Sequence, residues 1–362
     1  MGWRIMRAAG VLALAVGIGS CVKKESPSSV VTGPPSTTAT APTGKPFKIG
    51  YVLHGLNDFT QVIKRGAEDA GKALNVDVEV TGPAGFKAPE GIAMFEGMVQ
   101  KRKDGLAVVP MPGSVWVRPI GQAVEAGIPV VTANITSPES KATTWFGQDE
   151  YNSGVLLGKK IREMLEAQGT KSGKVVLGIC APGEIVLMDR YKGVQKAFEG
   201  SGFQVTQPYD VKVENNQNYS QWENLATANR DQVAAIGLCS MDPPNMSKVK
   251  KRANGKWLVG GYDLNIETLD AIRDGSLEVT MGQHPYLQGY LPVLALVQHL
   301  REGKPLPQGW VNVGTEMVTN DNIDTLYKRE SDRAEETKWY ADHIVNNFQD
   351  LNALAKPLPA SH

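Results

Sequence analysis

One arrangement of short apolar runs and amphipathic stretches is used twice along this chain, and that repetition limits the fold more than any other feature. FKIGYVL (47–53) reads as a buried strand, and a helical spacing follows through Val62, Ala67, Ala70 and Leu74. Further strands are expected at 76–82, 105–111, 128–134 and 143–147, with helical patterns around 92–101 and 117–126. Then the arrangement restarts. KVVLGICA (174–181), FQVTQPYD (203–210), AAIGLCS (234–240), KWLVGGYD (256–263) and LEVTMGQ (277–283) are strand-like, again with helical runs between them. Apolar strands without alternation are buried on both faces, as in parallel sheets covered by helices. The expected fold class is therefore α/β, with two doubly wound parallel-sheet domains.

Open sheets of this kind bind ligands outside the carboxyl ends of their strands. Polar and aromatic residues collect at those places: His54 to Phe59, Pro110 to Pro112, Asn134, Gln148-Asp149, Ser240 to Asp242, Asp263 and Gln283-His284. A crevice lined by them is expected. Composition narrows what that crevice does. With 38 basic against 38 acidic residues the net charge is zero, so no field draws a polyanion and no nucleic-acid partner is expected. Three cysteines and five histidines show no metal-ligand spacing, so neither a metal nor a cofactor is expected. GTKSGKV (169–175) is too short for a phosphate loop and precedes a strand rather than following one. There is no G-x-S-x-G elbow, and the spacing of Asp149, Asp242 and Asp263 does not ask for a glycosidase pair. The chain reads as a binder, not an enzyme.

The first 21 residues say where it works. Arg4 and Arg7 precede an apolar run from Ala8 to Ile18, shorter than the about 20 residues of a membrane span and typical of a signal peptide. Ile18-Gly19-Ser20-Cys21 resembles a bacterial lipobox, which implies acylation of Cys21. Residues 22–46 are rich in Ser, Thr, Pro and Gly and form an expected flexible tether. The expected location is periplasmic or at the cell surface, on a bacterial membrane through the lipid anchor only.

Residues 47–327 resemble type I periplasmic solute-binding proteins of the ribose/galactose/xylose class, which serve ATP-driven (ABC) sugar importers. LNDFTQVIKRGAEDAGKAL (56–74), WFGQDEYNSGVLLGKKI (145–161) and GYDLNIETLDAIRDGSLEVTMGQHPYLQGY (261–290) carry the likeness. It implies an N-terminal lobe of 47–148 plus 284–312 and a C-terminal lobe of 149–283 plus 313–330. Three strand crossovers near Gln148, His284 and Asn312 would form the hinge. Bacterial repressors share this fold but carry a DNA-binding helix-turn-helix where this chain has a signal and a tether.

Planar polar groups suit sugar hydroxyls and aromatic faces suit C–H patches. Arg190, Asp263 and Gln283 match the family's sugar-binding Arg, Asp and Gln; Phe59 matches a stacking aromatic and Asn57 a hydroxyl partner. His54 and Tyr219, with Trp222 beside it, are weaker candidates. Two departures stand out: Asn134-Ile135 replaces the usual Asp and Arg, and Met241-Asp242 replaces Asn-Asp. Both remove hydrogen-bonding strength and add apolar surface, favouring a deoxy-sugar, a sugar alcohol or a furanone-type signal.

The implied mechanism is capture of a monosaccharide or sugar-like polyol between the lobes by hinge closure, as a monomer, with delivery to the importer's permease. The alternative is a ligand-sensing role, the closed form docking a membrane receptor. Cys180 and Cys239 end neighbouring strands in a sheet of order 2-1-3-4-5. Adjacent parallel strands rarely offer disulfide geometry, so two buried thiols are expected. Residues 331–362 lie beyond the family core, with a helical run expected from about Asp332 to Ala355.

Overall fold

The computed structural model describes residues 45–359; the signal peptide, Cys21 and most of the tether lie outside the described residues. Two sheets organise the chain. The first is built from β1 (Lys48–Val52), β2 (Asp77–Thr81), β3 (Gly105–Val108), β4 (Val130–Ala133) and β5 (Thr144–Gly147). Between these strands run α1 (Asp58–Leu74), α2 (Ala88–Gln100) and α3 (Val117–Glu125). After β5 the chain enters the second lobe through α4 (Glu150–Ala167), β6 (Ser172–Ile179), α5 (Ile185–Phe198), β7 (Gly202–Val205) and β8 (Tyr209–Asp210). There follow α6 (Asn215–Ala228), β9 (Gln232–Gly237), α7 (Asp242–Arg252), β10 (Leu258–Tyr262), α8 (Ile266–Arg273) and β11 (Val279–Gly282). The chain returns to the first sheet with α9 (Pro285–Glu302) and β12 (Gly309–Asn312), then goes back to the second with β13 (Glu316–Val318) and α10 (Ile323–Ser331). It ends in α11 (Arg333–Asn347) and α12 (Leu351–Leu354).

Strand order is β2-β1-β3-β4-β5-β12 in the first sheet and β7-β6-β9-β10-β11-β13 in the second, with β8 paired to β6. Every pairing is parallel except β11 with β13. The inner strands are nearly continuous buried runs, as the unalternating apolar sequence requires: β3, β4, β5, β10 and β11 are buried at every position, while the outer strands β2, β7, β8, β12 and β13 are only partly covered or exposed. FQVTQPYD is split into β7 and β8, because Pro208 has no N–H to give the ladder. The C-terminal helical run is also broken. Phe348 leaves the helix to bury its ring, and Asp350 then caps α12 by accepting from Asn352 and Ala353 N–H.

Each lobe holds one helix pair in backbone-to-backbone contact, and glycines make that possible. A Cβ on Gly289 of α9 would lie 1.9 Å from the Ile63 carbonyl of α1; one on Gly66 would meet the Tyr286 carbonyl at 2.0 Å. In the second lobe, Gly193 of α5 faces the Tyr151 carbonyl at 2.1 Å and Gly154 of α4 faces that of Arg190 at 2.2 Å. Close approach of α4 and α5 sets where Glu150 and Arg190 can meet. The C-terminal helices cover the first lobe's outer side next to the crossover at His284. Glu336 pairs with Arg65 at 2.8 Å, Tyr340 stacks on Tyr286 at 4.4 Å, and Lys356 forms a bridge to the edge residue Trp310.

Candidate functional site: a cleft at the carboxyl ends of both sheets

The two sheets point the same kind of strand end at one cavity. It is lined by His54, Asn57, Phe59, Phe86, Met111, Asn134 and Ile135 from the first lobe. The second lobe supplies Cys180, Glu184, Val186, Leu187, Arg190, Val213, Cys239, Ser240, Met241 and Asp263, with Gln283 at a crossover. A wider groove on the far side of the second lobe, lined by Glu223, Arg252, Lys256 and Trp257 among others, draws nothing from the first lobe.

Asn134 and Asp263 are counterparts. Each follows the strand that lies fourth across its sheet, β4 in β2-β1-β3-β4 and β10 in β7-β6-β9-β10, and each is left-handed, at φ 60° and 78°. Asn and Asp tolerate that region better than other side chains. Asn134 N–H donates to Phe146 O at 2.9 Å, and Asp263 N–H to Met281 O at 2.8 Å, so both are held on the next strand in the same way. Their side chains meet through Gln283. Asn134 Nδ2 donates to Gln283 Oε1 at 3.0 Å, and Gln283 Nε2 donates to Asp263 Oδ1 at 2.8 Å. One amide thus joins a first-lobe side chain to a second-lobe carboxylate at the hinge.

Arg190, on α5, is 3% exposed and already well bound by the protein. Its Nε and Nη2 donate to the two Glu150 oxygens at 2.5 and 3.1 Å, Nη1 donates to Leu238 O at 2.7 Å, and Nη2 also reaches Gln283 Oε1 at 3.3 Å. The guanidinium lies over the Tyr262 ring, 4.0 Å from its centre. Burial works against this cation, but Glu150 outweighs it and the pKa rises. Burial likewise pushes Glu150 up, against the opposing pull of Arg190. Burial raises Asp263 to about 6, with Arg190 and then Gln283 opposing the rise. The arrangement is a braced polar floor with donors and acceptors facing the cavity.

The first-lobe wall is different. Asn57 is the N-cap of α1 and closes a capping box with Thr60: its Oδ1 accepts from Thr60 N–H, while Thr60 Oγ1 accepts from Asn57 N–H, both at 2.9 Å. The rings of Phe59 and Phe86 both lie near that of His54, with centres 6.5 and 5.1 Å away. Burial lowers the His54 pKa to about 4, so the ring is neutral, and its Nδ1 has no hydrogen-bond partner among the described residues. Met241 adds its side chain from the second lobe.

Two predicted residues are not brought to the cavity. Asp242 is fully buried beneath it: Oδ1 accepts from Asn218 Nδ2 at 2.7 Å and Trp222 Nε1 at 2.9 Å, and Oδ2 accepts from Cys239 N–H at 2.8 Å. The carboxylate ties the β9–α7 turn together and leaves nothing for a ligand; burial raises it to about 6. Tyr219 points away on α6, its hydroxyl accepting from Arg252 Nη1 at 3.3 Å. The cysteine expectation is corrected as well, because Cys180 and Cys239 form a disulfide with Cα atoms 6.2 Å apart. Both lie beyond the last ladder pair, Gly178 with Gly237, so the sheet does not dictate their side-chain directions.

Sequence reasoning passed over Glu150, Phe86 and Glu184. Glu150 sits one residue past the crossover Asp149, and only the α4–α5 contact shows that it meets Arg190. Glu184 has a sequence signal: it precedes the first helix after the first strand of its lobe, as Asn57 does.

Residues 49–305, most of the chain, match the sequence model of the periplasmic binding protein domain. The chain is 26% identical over 297 residues to the xylose/arabinose-binding protein XylF of Sulfolobus acidocaldarius, covering 76% of this chain and 72% of that one. It is 25% identical over 249 residues to the ribose import binding protein RbsB of Bacillus subtilis, covering 68% and 79%. The fold matches GanP, a glucose-galactose binding protein from Geobacillus stearothermophilus, with a TM-score of 0.70 at 23% identity over 77% of this chain and 99% of that one. It also matches a solute-binding protein from Burkholderia graminis in complex with D-arabinose, with a TM-score of 0.71 at 21% identity over 76% and 96%.

Proposed function

We propose, from the premise that this chain belongs to the periplasmic binding protein domain family, that it captures a monosaccharide or sugar-like polyol between its lobes and delivers it to an ABC importer. It binds without catalysing a reaction. The observation that carries this reading is the hinge clasp, in which Gln283 links Asn134 of one lobe to Asp263 and Arg190 of the other around a shared cavity. A ligand reaching both walls makes its full set of hydrogen bonds only when the lobes are together, so it selects the closed form.

The ligand set of this reading is Asn57, Phe59, Asn134, Arg190, Asp263, Gln283 and Met241, with His54 at the aromatic end. Phe59 and Phe86 offer flat apolar faces for ring C–H groups. The sulfur-rich patch of Met111, Met241 and the disulfide takes a part of the ligand that lacks hydroxyls, which favours deoxy-sugars. None of the described helices is long and apolar enough to cross a membrane. A monomer tethered through acylated Cys21 after signal-peptide removal fits the N-terminal sequence.

A thermal-shift screen of the full chain against pentoses, hexoses, deoxy-sugars and polyols tests the function. Ligand at a hundredfold excess over its dissociation constant stabilises the folded state by roughly 2.7 kcal/mol. The expected result is a clear shift with one sugar or polyol, lost in Arg190→Ala and Asp263→Asn. No shift with any compound would sink the reading.

A further inference from the structure

We infer that Glu184 contacts the ligand, accepting a hydrogen bond from a hydroxyl of the bound sugar or polyol through Oε2; this rests on the sugar-binding reading above. The argument begins with position. Asn57 and Glu184 are both N-cap residues of the helix that follows the first strand of their lobe, α1 and α5. The doubled topology therefore places both at the cavity, one on each wall.

Their side chains are used differently. Asn57 completes a reciprocal capping box with Thr60. Glu184 accepts from the adjacent Ile185 N–H, at 3.1 Å through Oε1. The Gly113 N–H of the other lobe is a further backbone donor to the carboxylate, the smaller of the two that hold its pKa down. Oε2 is buried with no hydrogen-bond partner among the described residues, on a side chain only 5% exposed. A buried acceptor without a donor is costly, and here it borders the space where a ligand would sit.

No protein cation answers it. Arg190 is the one cation among the lining residues, and Glu150 holds it. His54, on the opposite wall, is a neutral ring whose Nδ1 also lacks a partner. Burial moves the Glu184 carboxyl up to about 7, consistent with a site that awaits a neutral donor. A hydroxyl supplies that donor and can serve His54 as well. The polar floor at Arg190 and Asp263 would then read one end of the ligand, and Glu184 with His54 would read the other.

Calorimetric titration of the full chain with sugar pairs differing by one hydroxyl tests this. Suitable pairs are D-ribose with 2-deoxy-D-ribose, D-glucose with 6-deoxy-D-glucose, and D-galactose with D-fucose. The wild type is expected to discriminate against one deoxy partner by at least roughly tenfold. Glu184→Ala should weaken the parent sugar by roughly 10- to 100-fold and bind parent and deoxy form within about twofold of each other. Glu184→Gln, which keeps the shape and one carbonyl acceptor, should recover part of that loss; it carries the test if the Ala variant does not fold. Unchanged affinity in both variants, or equal weakening of parent and every deoxy form, overturns the inference while leaving sugar binding standing. A wild type that binds no compound of the thermal-shift screen overturns both, and one that binds a sugar of the screen without discriminating against any of its deoxy forms overturns the inference alone.

Discussion

The two lobes share one topology and furnish the cleft with opposite materials. The second lobe supplies every formal charge lining the cavity, Glu184, Arg190 and Asp263, together with a disulfide and a buried carboxylate network under Asp242. The first lobe supplies His54, Asn57, Phe59, Phe86, Met111, Asn134 and Ile135, none of them charged once His54 is held neutral by burial. The second lobe thus carries the charged groups of the cleft, beside apolar Val186, Leu187, Val213 and Met241, and the first lobe faces them with aromatic, amide and apolar side chains. The two lobes repeat one frame, and the residues at matched strand ends differ between them.

Breaking that contrast should give the largest effect at Arg190. Arg190→Ala leaves Glu150 buried and unpaired, which should destabilise the protein by about 3–5 kcal/mol and abolish ligand binding. Denaturant unfolding and titration of the same sample would show both losses. Reduction of Cys180–Cys239 comes next. The bridge closes a segment with a sequence separation of 59, for which chain entropy gives at most about 4 kcal/mol and typical losses run about 2–4. Thermal unfolding with and without reductant would measure it, and a shift under about 0.5 kcal/mol would show that the wall is rigid without the bridge.

The glycine pairs sharpen the comparison by testing where the lobes are alike. Gly289→Ala and Gly193→Ala should each destabilise by about 1–3 kcal/mol, since a Cβ would meet a helix carbonyl at 1.9 and 2.1 Å. A large difference between them would mean that one lobe yields more easily than the other. A smaller effect concerns acidity at the polar floor. Asp263 titrates near 6 in the free protein, and a hydroxyl donated to its carboxylate favours the ionised form. Affinity should therefore be level above about pH 7 and fall below it, roughly tenfold by pH 5, as titration calorimetry across that range would show. The smallest change is expected on the first-lobe wall, where Asn57→Ala removes a helix cap worth about 1 kcal/mol, visible as a modest drop in Tm.

Much of this was legible before any coordinates. The doubled strand–helix alternation, the parallel sheets and the placing of Asn57, Phe59, Asn134, Asp263 and Gln283 at the cleft follow from apolar runs and from which residues end them, whereas Arg190 was singled out by the family resemblance alone. A residue that ends a buried parallel strand has few places to go except the crevice, so Asn134 and Asp263 could be put there by chain position alone. The left-handed backbone they adopt also suits the two residue types found.

What position alone could not decide is which polar groups already have partners. Asp242 and Asp263 both follow strands of the second sheet, yet one is enclosed by Asn218, Trp222 and Cys239 N–H while the other faces the cavity. Cys180 and Cys239 looked like neighbours without bridging geometry, and became a disulfide because they lie just past the ladder. Glu150 meets Arg190 only because glycines let α4 and α5 touch. The sequence alone determined the fold and the rim of the cleft, because apolar periodicity is local and survives averaging along the chain. The tertiary structure decided which acceptors are satisfied and which are left for a ligand, because hydrogen-bond partners come from segments tens of residues apart, brought together only by packing.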